Sequence, residues 1–575
     1  MAANEYRPQT ILAIDFGTSS TRAALIDVVA GQFRHVASGQ APSTFNAPYS
    51  DVMEGLRNAL EDLTAVTGRR MLNDSAQLIT PVDQDGYGAD IIAATVSGGP
   101  ALRTVLIGLL PEFSLGAAKV AADSAYLNVV ETFSLNDRRT SQQQIDALVA
   151  ARPDFIVLAG GRDGGARESI LRLAETIGLG AYRLGGDKRH VLYVGNEALK
   201  DRVTQMLKPI ATVTAAPNIQ PTVGTIAPIM GDVGRAAAAA RAAQVVGLSD
   251  IAAYAQGRLI PTAQAAGTLI QFMSKGTTPW KRILFADVGS QSTALAYASQ
   301  GDLALDIRPD LGVGVSAERT LEAEGVEAFG RWLPGEPAED AIRDFVSYKS
   351  RVAASTIPVT ADDLYAELAL ARAALHAAVR KARGKWPRQG LSPRLDLIIG
   401  AGATLGQAPH PGLAAMALLD AVGPMGATTL MLDRQHLTAA LGAAGYFNPL
   451  AAVQSLEGGA LLTVGTALSI CHTARVGDLV ASAKLVDDAG REAVVEVHAG
   501  AIEVIALSLG QTGKLTVKPK GRADVGFGPG RSGTLKVIGG QVGLILDGRG
   551  RPMRPPRDPA ERAERLQQWM FVLGS

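Results

Sequence analysis

Ile11-Leu12-Ala13-Ile14, then Asp15-Phe16-Gly17-Thr18-Ser19-Ser20-Thr21, then Ala23-Ala24-Leu25-Ile26 reads as two apolar strands joined by a turn of small residues. The design recurs far along the chain. There Ile283-Leu284-Phe285-Ala286 leads into Asp287-Val288-Gly289-Ser290-Gln291-Ser292-Thr293 and then Ala294-Leu295-Ala296. A third glycine loop, Gly400-Ala401-Gly402-Ala403-Thr404-Leu405-Gly406, follows the buried-strand pattern Leu395 to Ile399. Two such units predict an α/β fold with two lobes.

The chemistry follows from the residue types. Glycine lets backbone approach a ligand, and successive N–H groups and hydroxyls then donate to phosphate oxygens as an anion-binding nest. On that reasoning Gly17, Thr18, Ser19 and Ser20 form one phosphate loop, and Gly289, Ser290 and Ser292 form the other. Gly400, Ala401 and Gly402 offer bare backbone to a nucleoside. Asp15 and Asp287, each at a strand end, are the expected holders of a hydrated Mg2+, which prefers oxygen ligands and keeps its waters. The sequence therefore predicts a nucleoside triphosphate and Mg2+, gripped between two lobes. Asp15, Asp287 and Gln291 are the candidate catalytic residues. Gln291 either orients an attacking water, as glutamines do in some GTPases, or faces solvent as an ordinary loop side chain.

Between these motifs, helical patterns are expected at Asp51 to Thr67, Gln142 to Ala150, Arg167 to Thr176, Ala236 to Ala243, Ala361 to Ala382 and Pro411 to Ala421. Ile91 to Val96, Thr104 to Leu110 and Phe155 to Leu158 read as strands or buried segments. Beyond Leu456 the pattern changes to short alternating runs such as Val494 to Val497 and Lys514 to Val517, separated by glycine turns, which predicts a small β-sandwich or barrel. Asp558 to Leu573 reads as a capped helix. The expected domains are 1–280, a first lobe with insertions; 281–455, a second lobe; 456–556, the β region; and 557–575, the terminal helix.

With 575 residues the chain exceeds the roughly 250–300 at which one core stops growing, so several domains are expected. Its 55 basic and 55 acidic residues balance, which removes any general electrostatic reason to expect nucleic acid or an anionic membrane as partner. Cys471, the single cysteine, cannot make an internal disulfide, and no Cys/His pattern has zinc spacing; a reducing, cytoplasmic setting is expected. Met1 to Gln9 lacks signal-peptide regions. The apolar run Gly458 to Cys471 is shorter than the ~20 residues that span a bilayer. Cys471 is expected as a buried small hydrophobe in an apolar strand. Arg551, Arg554 and Arg557, set among prolines, read as an exposed connector or an acidic-partner contact. His410 reads as a rigid-loop residue, and Arg162 and Asp163 as either a structural turn or a nucleotide contact.

Ile14 to Thr21, Asp287 to Thr293 and Ile399 to Gly402 resemble, in the same order, the phosphate-1, phosphate-2 and adenosine motifs of the actin, Hsp70 and sugar-kinase superfamily, whose lobes are ribonuclease H-like. Within it, residues 8 to about 450 resemble the glutamate mutase accessory proteins called MutL or GlmL, unrelated to the mismatch-repair protein of that name. The added likeness lies in Val157 to Gly165, Gly195-Asn196 and Pro221 to Gly224. One departure is the second phosphate loop, where many superfamily members carry two or three glycines with Thr and this chain has Gly289-Ser290-Gln291. The resemblance implies an ATP-driven accessory or chaperone-like role toward an adenosylcobalamin-dependent mutase, with slow hydrolysis or binding without turnover. Two other classes stay open: a small-molecule kinase, for which Asp83, Asp85 and Asp90 are candidate bases, and a filament-forming ATPase. The sequence does not fix the oligomeric state.

Overall fold

The computed structural model describes residues 9–574 except 100, 187, 220–225, 277, 336, 353–357 and 387–392. Pro221 to Gly224 therefore lies outside the described residues. The chain divides into two compact units, one formed by Met1–Val28, Val36–Ala265 and Leu305–Pro309, the other by Val29–His35, Ala266–Ala304 and Asp310–Ser575.

In the first unit Ile11–Phe16 is buried at every position, as a strand covered on both faces must be. It pairs antiparallel with Ser20–Val29 and parallel with Ile91–Val96, which in turn pairs parallel with Leu259–Pro261. The helix Val52–Thr67 covers this sheet, capped by the Asp51 carboxylate and stopped by Gly68 in the left-handed region. A second sheet in the unit is wholly parallel. Its strands lie in the order Leu127–Phe133, Leu102–Gly108, Phe155–Gly160, Arg189–Gly195, Ala211–Ala215. Helices cover both faces, so the inner strands Leu102–Gly108, Phe155–Gly160 and Arg189–Gly195 are largely buried, whereas the edge strands Leu127–Phe133 and Ala211–Ala215 are mostly half-buried or exposed.

The second unit repeats the first design. Arg282–Val288 pairs antiparallel with Thr293–Ser299 and parallel with Leu397–Ala401, and the sheet continues through Gly426–Leu432. Helix Ala361–Ala382, opened by a Thr360/Asp363 capping box, and helix Pro411–Val422 pack into its core. The architecture is thus α/β, with the same strand–turn–strand unit in each of the two compact units.

In the C-terminal region two sheets pack face to face, and one of them is the second unit's own sheet. Leu462–Ser469 pairs with Gly426–Leu432, and Gly543–Asp547 and Ile502–Ile505 extend that same sheet. The other layer is a four-stranded antiparallel sheet of Leu479–Asp487, Glu492–His498, Thr512–Pro519 and Gly533–Ile538. Leu468, Leu544 and Leu546 of the first layer meet Leu485, Leu515 and Val537 of the second. The helix Pro559–Val572 starts at Asp558, whose carboxylate accepts from Glu561 N at 2.9 Å.

Two expectations about this region are corrected. Arg551 is 4% exposed, with its guanidinium 2.6 Å from Asp547 Oδ2, so only Arg554 and Arg557 of the three arginines are exposed. The compensating carboxylate, Asp547, ends the strand just four residues before Arg551, and the intervening turn folds the guanidinium back onto it. Cys471 is half-buried beyond the end of its strand, and its thiol donates to the Arg551 carbonyl at 3.3 Å.

Candidate functional site

The two phosphate-type loops have the same backbone geometry. In the first, Gly17 N donates to Ser20 O at 3.0 Å; in the second, Gly289 N donates to Ser292 O at 2.9 Å. Asp15 stands opposite Arg22 on the returning strand and opposite Thr95 on the parallel one. Asp287 stands opposite Ala294 and Ala401 in the same way. The adenosine-type loop after Ala401 is therefore the second unit's counterpart of Ser97-Gly98-Gly99 in the first.

Asp15 is 7% exposed and well held. Its Oδ1 accepts from the hydroxyls of Thr95 at 2.6 Å and Thr262 at 2.8 Å, while Oδ2 lies 3.6 Å from Arg22 Nη1. The turn is close-packed: a Cβ on Gly17 would meet Ser20 O at 2.9 Å, and one on Gly98 would meet Gly17 O at 2.6 Å. Glycine is required at both positions by the protein's own backbone. Thr18 and Ser19 are half-buried, Ser20 is buried, and the Ser19 hydroxyl has no hydrogen-bond partner among the described residues.

In the second loop Asp287, Gly289, Ser290, Gln291 and Ser292 are all half-buried. Ser290 anchors the segment that follows: its carbonyl accepts from Gly314 N at 2.8 Å, and its hydroxyl accepts from Val315 N at 3.3 Å, leaving that hydroxyl a proton to donate. Gly400 and Ala401 are buried strand residues, and Gly400 faces Leu418 and Leu432. Gly402 has φ +98° and ψ 153°, and a Cβ there would overlap the Val288 carbonyl oxygen and lie 2.8 Å from Val288 C. Its small size thus serves the contact between adjacent strands. Of this loop, Ala403 and Thr404 are the half-exposed residues.

Among the described residues no group of three or more His, Cys, Asp or Glu side chains forms a metal cage. The donor set instead suits Mg2+ held through one or two carboxylates, waters and ligand phosphates. Asp15 and Asp287, each at a strand end beside a loop rich in N–H groups and hydroxyls, fit that pattern.

The Gly160 to Gly165 loop is tied down from outside. Asn196, fully buried, accepts from Gly164 N at 3.0 Å and donates to Gly165 O at 2.6 Å. Asp163 Oδ1 accepts from Glu197 N and Asn218 Nδ2, both at 2.9 Å, and these bonds lower its pKa. That is the structural-turn role. His410 is exposed at the N-cap of its helix. Sequence reasoning missed Thr95, Thr262 and the Gly312 to Ser316 segment behind Ser290. Their only signal was a threonine at or just past the end of an apolar run and a Gly-Val-Gly-Val-Ser stretch.

The family model described as MutL protein matches residues 11–458. The chain belongs to the MutL family. A curated relative, Protein MutL of Clostridium tetanomorphum, is 23% identical over 343 residues, covering 56% of this chain and 68% of that protein. Among solved structures, a nucleotide-free acetone carboxylase is 12% identical with a TM-score of 0.37, covering 86% of this MutL-family chain and 81% of that chain. The ethanolamine utilization protein EutJ from Carboxydothermus hydrogenoformans is 10% identical with a TM-score of 0.28, covering 77% of this chain and 91% of that one. ROK hexokinase from Thermus thermophilus is 11% identical with a TM-score of 0.25, covering 78% and 100%. No described helix is long and apolar enough to cross a membrane.

Proposed function

We propose that this MutL-family protein binds Mg-ATP through Gly17, Thr18, Ser19 and Ser20 of one loop and Gly289, Ser290 and Ser292 of the other, with Asp15 and Asp287 holding Mg2+ through waters. The nucleoside lies against Ala403 and Thr404, the half-exposed residues that follow Gly400 to Gly402. The observation that carries this reading is the duplicated strand–turn–strand geometry, matched at Asp15/Asp287, Gly17/Gly289 and Ser20/Ser292. A nest of N–H groups beside a carboxylate suits a triphosphate with its metal.

Family membership supports the further reading of an accessory role toward an adenosylcobalamin-dependent mutase in the cytoplasm. A triphosphate contacting loops of both units has different affinities for their open and closed arrangements, so it shifts that equilibrium toward closure. Gln291 is the residue proposed to orient the attacking water in a slow hydrolysis. Binding of a cobalamin mutase should differ at least several-fold between ATP and ADP, about 1 kcal/mol or more of coupling. Equal partner affinity in both states, or a metabolite phosphorylated at ordinary kinase rates, replaces this reading with a kinase.

A further inference from the structure

Arg241 is a buried cation in the first unit with no role in the site described above. It lies near the end of the helix Ile226–Ala242, whose Val233, Ala236, Ala237 and Ala240 pack into the core of the parallel five-stranded sheet, and it is 5% exposed. Its guanidinium sits 4.7 Å over the ring of Tyr126. Nη2 donates to the Tyr126 carbonyl at 3.3 Å, and Nη1 donates to the Gly98 carbonyl. Among the described residues no carboxylate pairs with it. Burial pushes its pKa down to about 10, so the group stays charged at neutral pH.

An uncompensated buried charge is costly, and the two carbonyls do not call for one. Neutral N–H donors would satisfy them. What the charge does face is the turn that backs the first phosphate-type loop. Gly98 N donates to Phe16 O at 2.8 Å, and a Cβ on Gly98 would meet Gly17 O at 2.6 Å. Gly99 follows at φ +82°, and a Cβ there would lie 3.9 Å from Arg241 Nη1. A single residue, Gly98, therefore separates the guanidinium from Gly17. Charges buried in protein are screened much less than exposed ones, so an anion on the loop can balance this cation without touching it.

We infer that Arg241 is a positioning residue of the nucleotide site: it fixes the first phosphate loop through Gly98, and its buried charge is balanced by the bound triphosphate. This rests on the Mg-ATP reading above. The same side chain holds the Tyr126 carbonyl just before the strand Leu127–Phe133, so it ties the parallel sheet to the loop.

Titration calorimetry of Mg-ATP into the full chain, with urea unfolding alongside, compares the wild type, Arg241→Gln and Arg241→Lys. Glutamine keeps N–H donors for a carbonyl but drops the charge, whereas lysine keeps the charge. The expected result is at least a tenfold loss of Mg-ATP affinity in Arg241→Gln with a urea midpoint at or above that of the wild type, and recovery of most of that loss in Arg241→Lys. A wild type that binds no Mg-ATP overturns the nucleotide reading and this inference with it. Where the wild type does bind, unchanged affinity in Arg241→Gln, equal losses in the two variants, or a loss of affinity that comes with a lowered urea midpoint overturns this inference alone and leaves Arg241 a structural brace.

Discussion

Gly402→Ala should destabilise the second unit before any nucleotide is added. At φ +98° and ψ 153° the position lies in a region that is essentially glycine-only, where another residue costs about 1–3 kcal/mol. The new Cβ would overlap the carbonyl of Val288 and lie 3.1 Å from its nitrogen. That backbone cannot yield easily, because the adjacent pair Ala401 and Asp287 sits in the parallel ladder. Overpacking adds about 1–3 kcal/mol, so the expected loss is about 4 kcal/mol. Gly400→Ala provides the control: its Cβ meets the flexible ends of Leu418 and Leu432, and should cost about 1–2 kcal/mol. Urea unfolding followed by tryptophan fluorescence measures this directly, since Trp280, Trp332, Trp386 and Trp569 all belong to the second unit. Wild-type stability in Gly402→Ala, with ATP affinity selectively lost, would refute the reasoning and show that this glycine makes room for the nucleoside.

Thr95→Val and Thr262→Val each remove a hydroxyl donated to the Asp15 carboxylate, and each should cost about 1.5–3 kcal/mol in calorimetric unfolding of the first unit. Asp287→Ala should preserve the circular dichroism spectrum yet weaken Mg-ATP far more than metal-free nucleotide; equal weakening of both removes the metal role. Burial alone would raise the pKa of Asp547, but Arg549 and Arg551 outweigh it and hold the carboxyl below the usual range. A depressed folded pKa means that its stabilisation is complete above the unfolded value of about 3.9 and is lost as pH falls below that toward the folded value. Asp547→Asn should cost about 3–5 kcal/mol at neutral pH by leaving buried guanidiniums unpaired, and should flatten the acid limb of a pH–stability curve.

The elements that were legible in the sequence are those set by local pattern. The helical pattern expected over Ala361 to Ala382 matches the observed helix to the residue, and a Thr360/Asp363 capping box opens it. The Asp–turn–Ser/Thr units gave both strand pairs, because the turn chemistry is local. What depends on residues distant in sequence was not legible. The Thr95 and Thr262 bonds to Asp15 span 80 and 247 residues. Likewise, the change to alternating strands after Leu456 is real, yet strand period says nothing about which sheet a strand joins. Leu462–Ser469 and Gly543–Asp547 went to the lobe. Gly402 was legible as a glycine that needs close approach, but what approaches it is Val288, set by register between strands 114 residues apart in sequence.

The central claim is that the two matched loops bind one Mg-ATP. Titration calorimetry of Mg-ATP into the full-length wild type, Asp15→Ala and Asp287→Ala tests it most directly. The account predicts one nucleotide per chain, with affinity reduced at least tenfold in each variant. A wild type that binds no nucleotide, or two variants that bind Mg-ATP as tightly as the wild type, would contradict it.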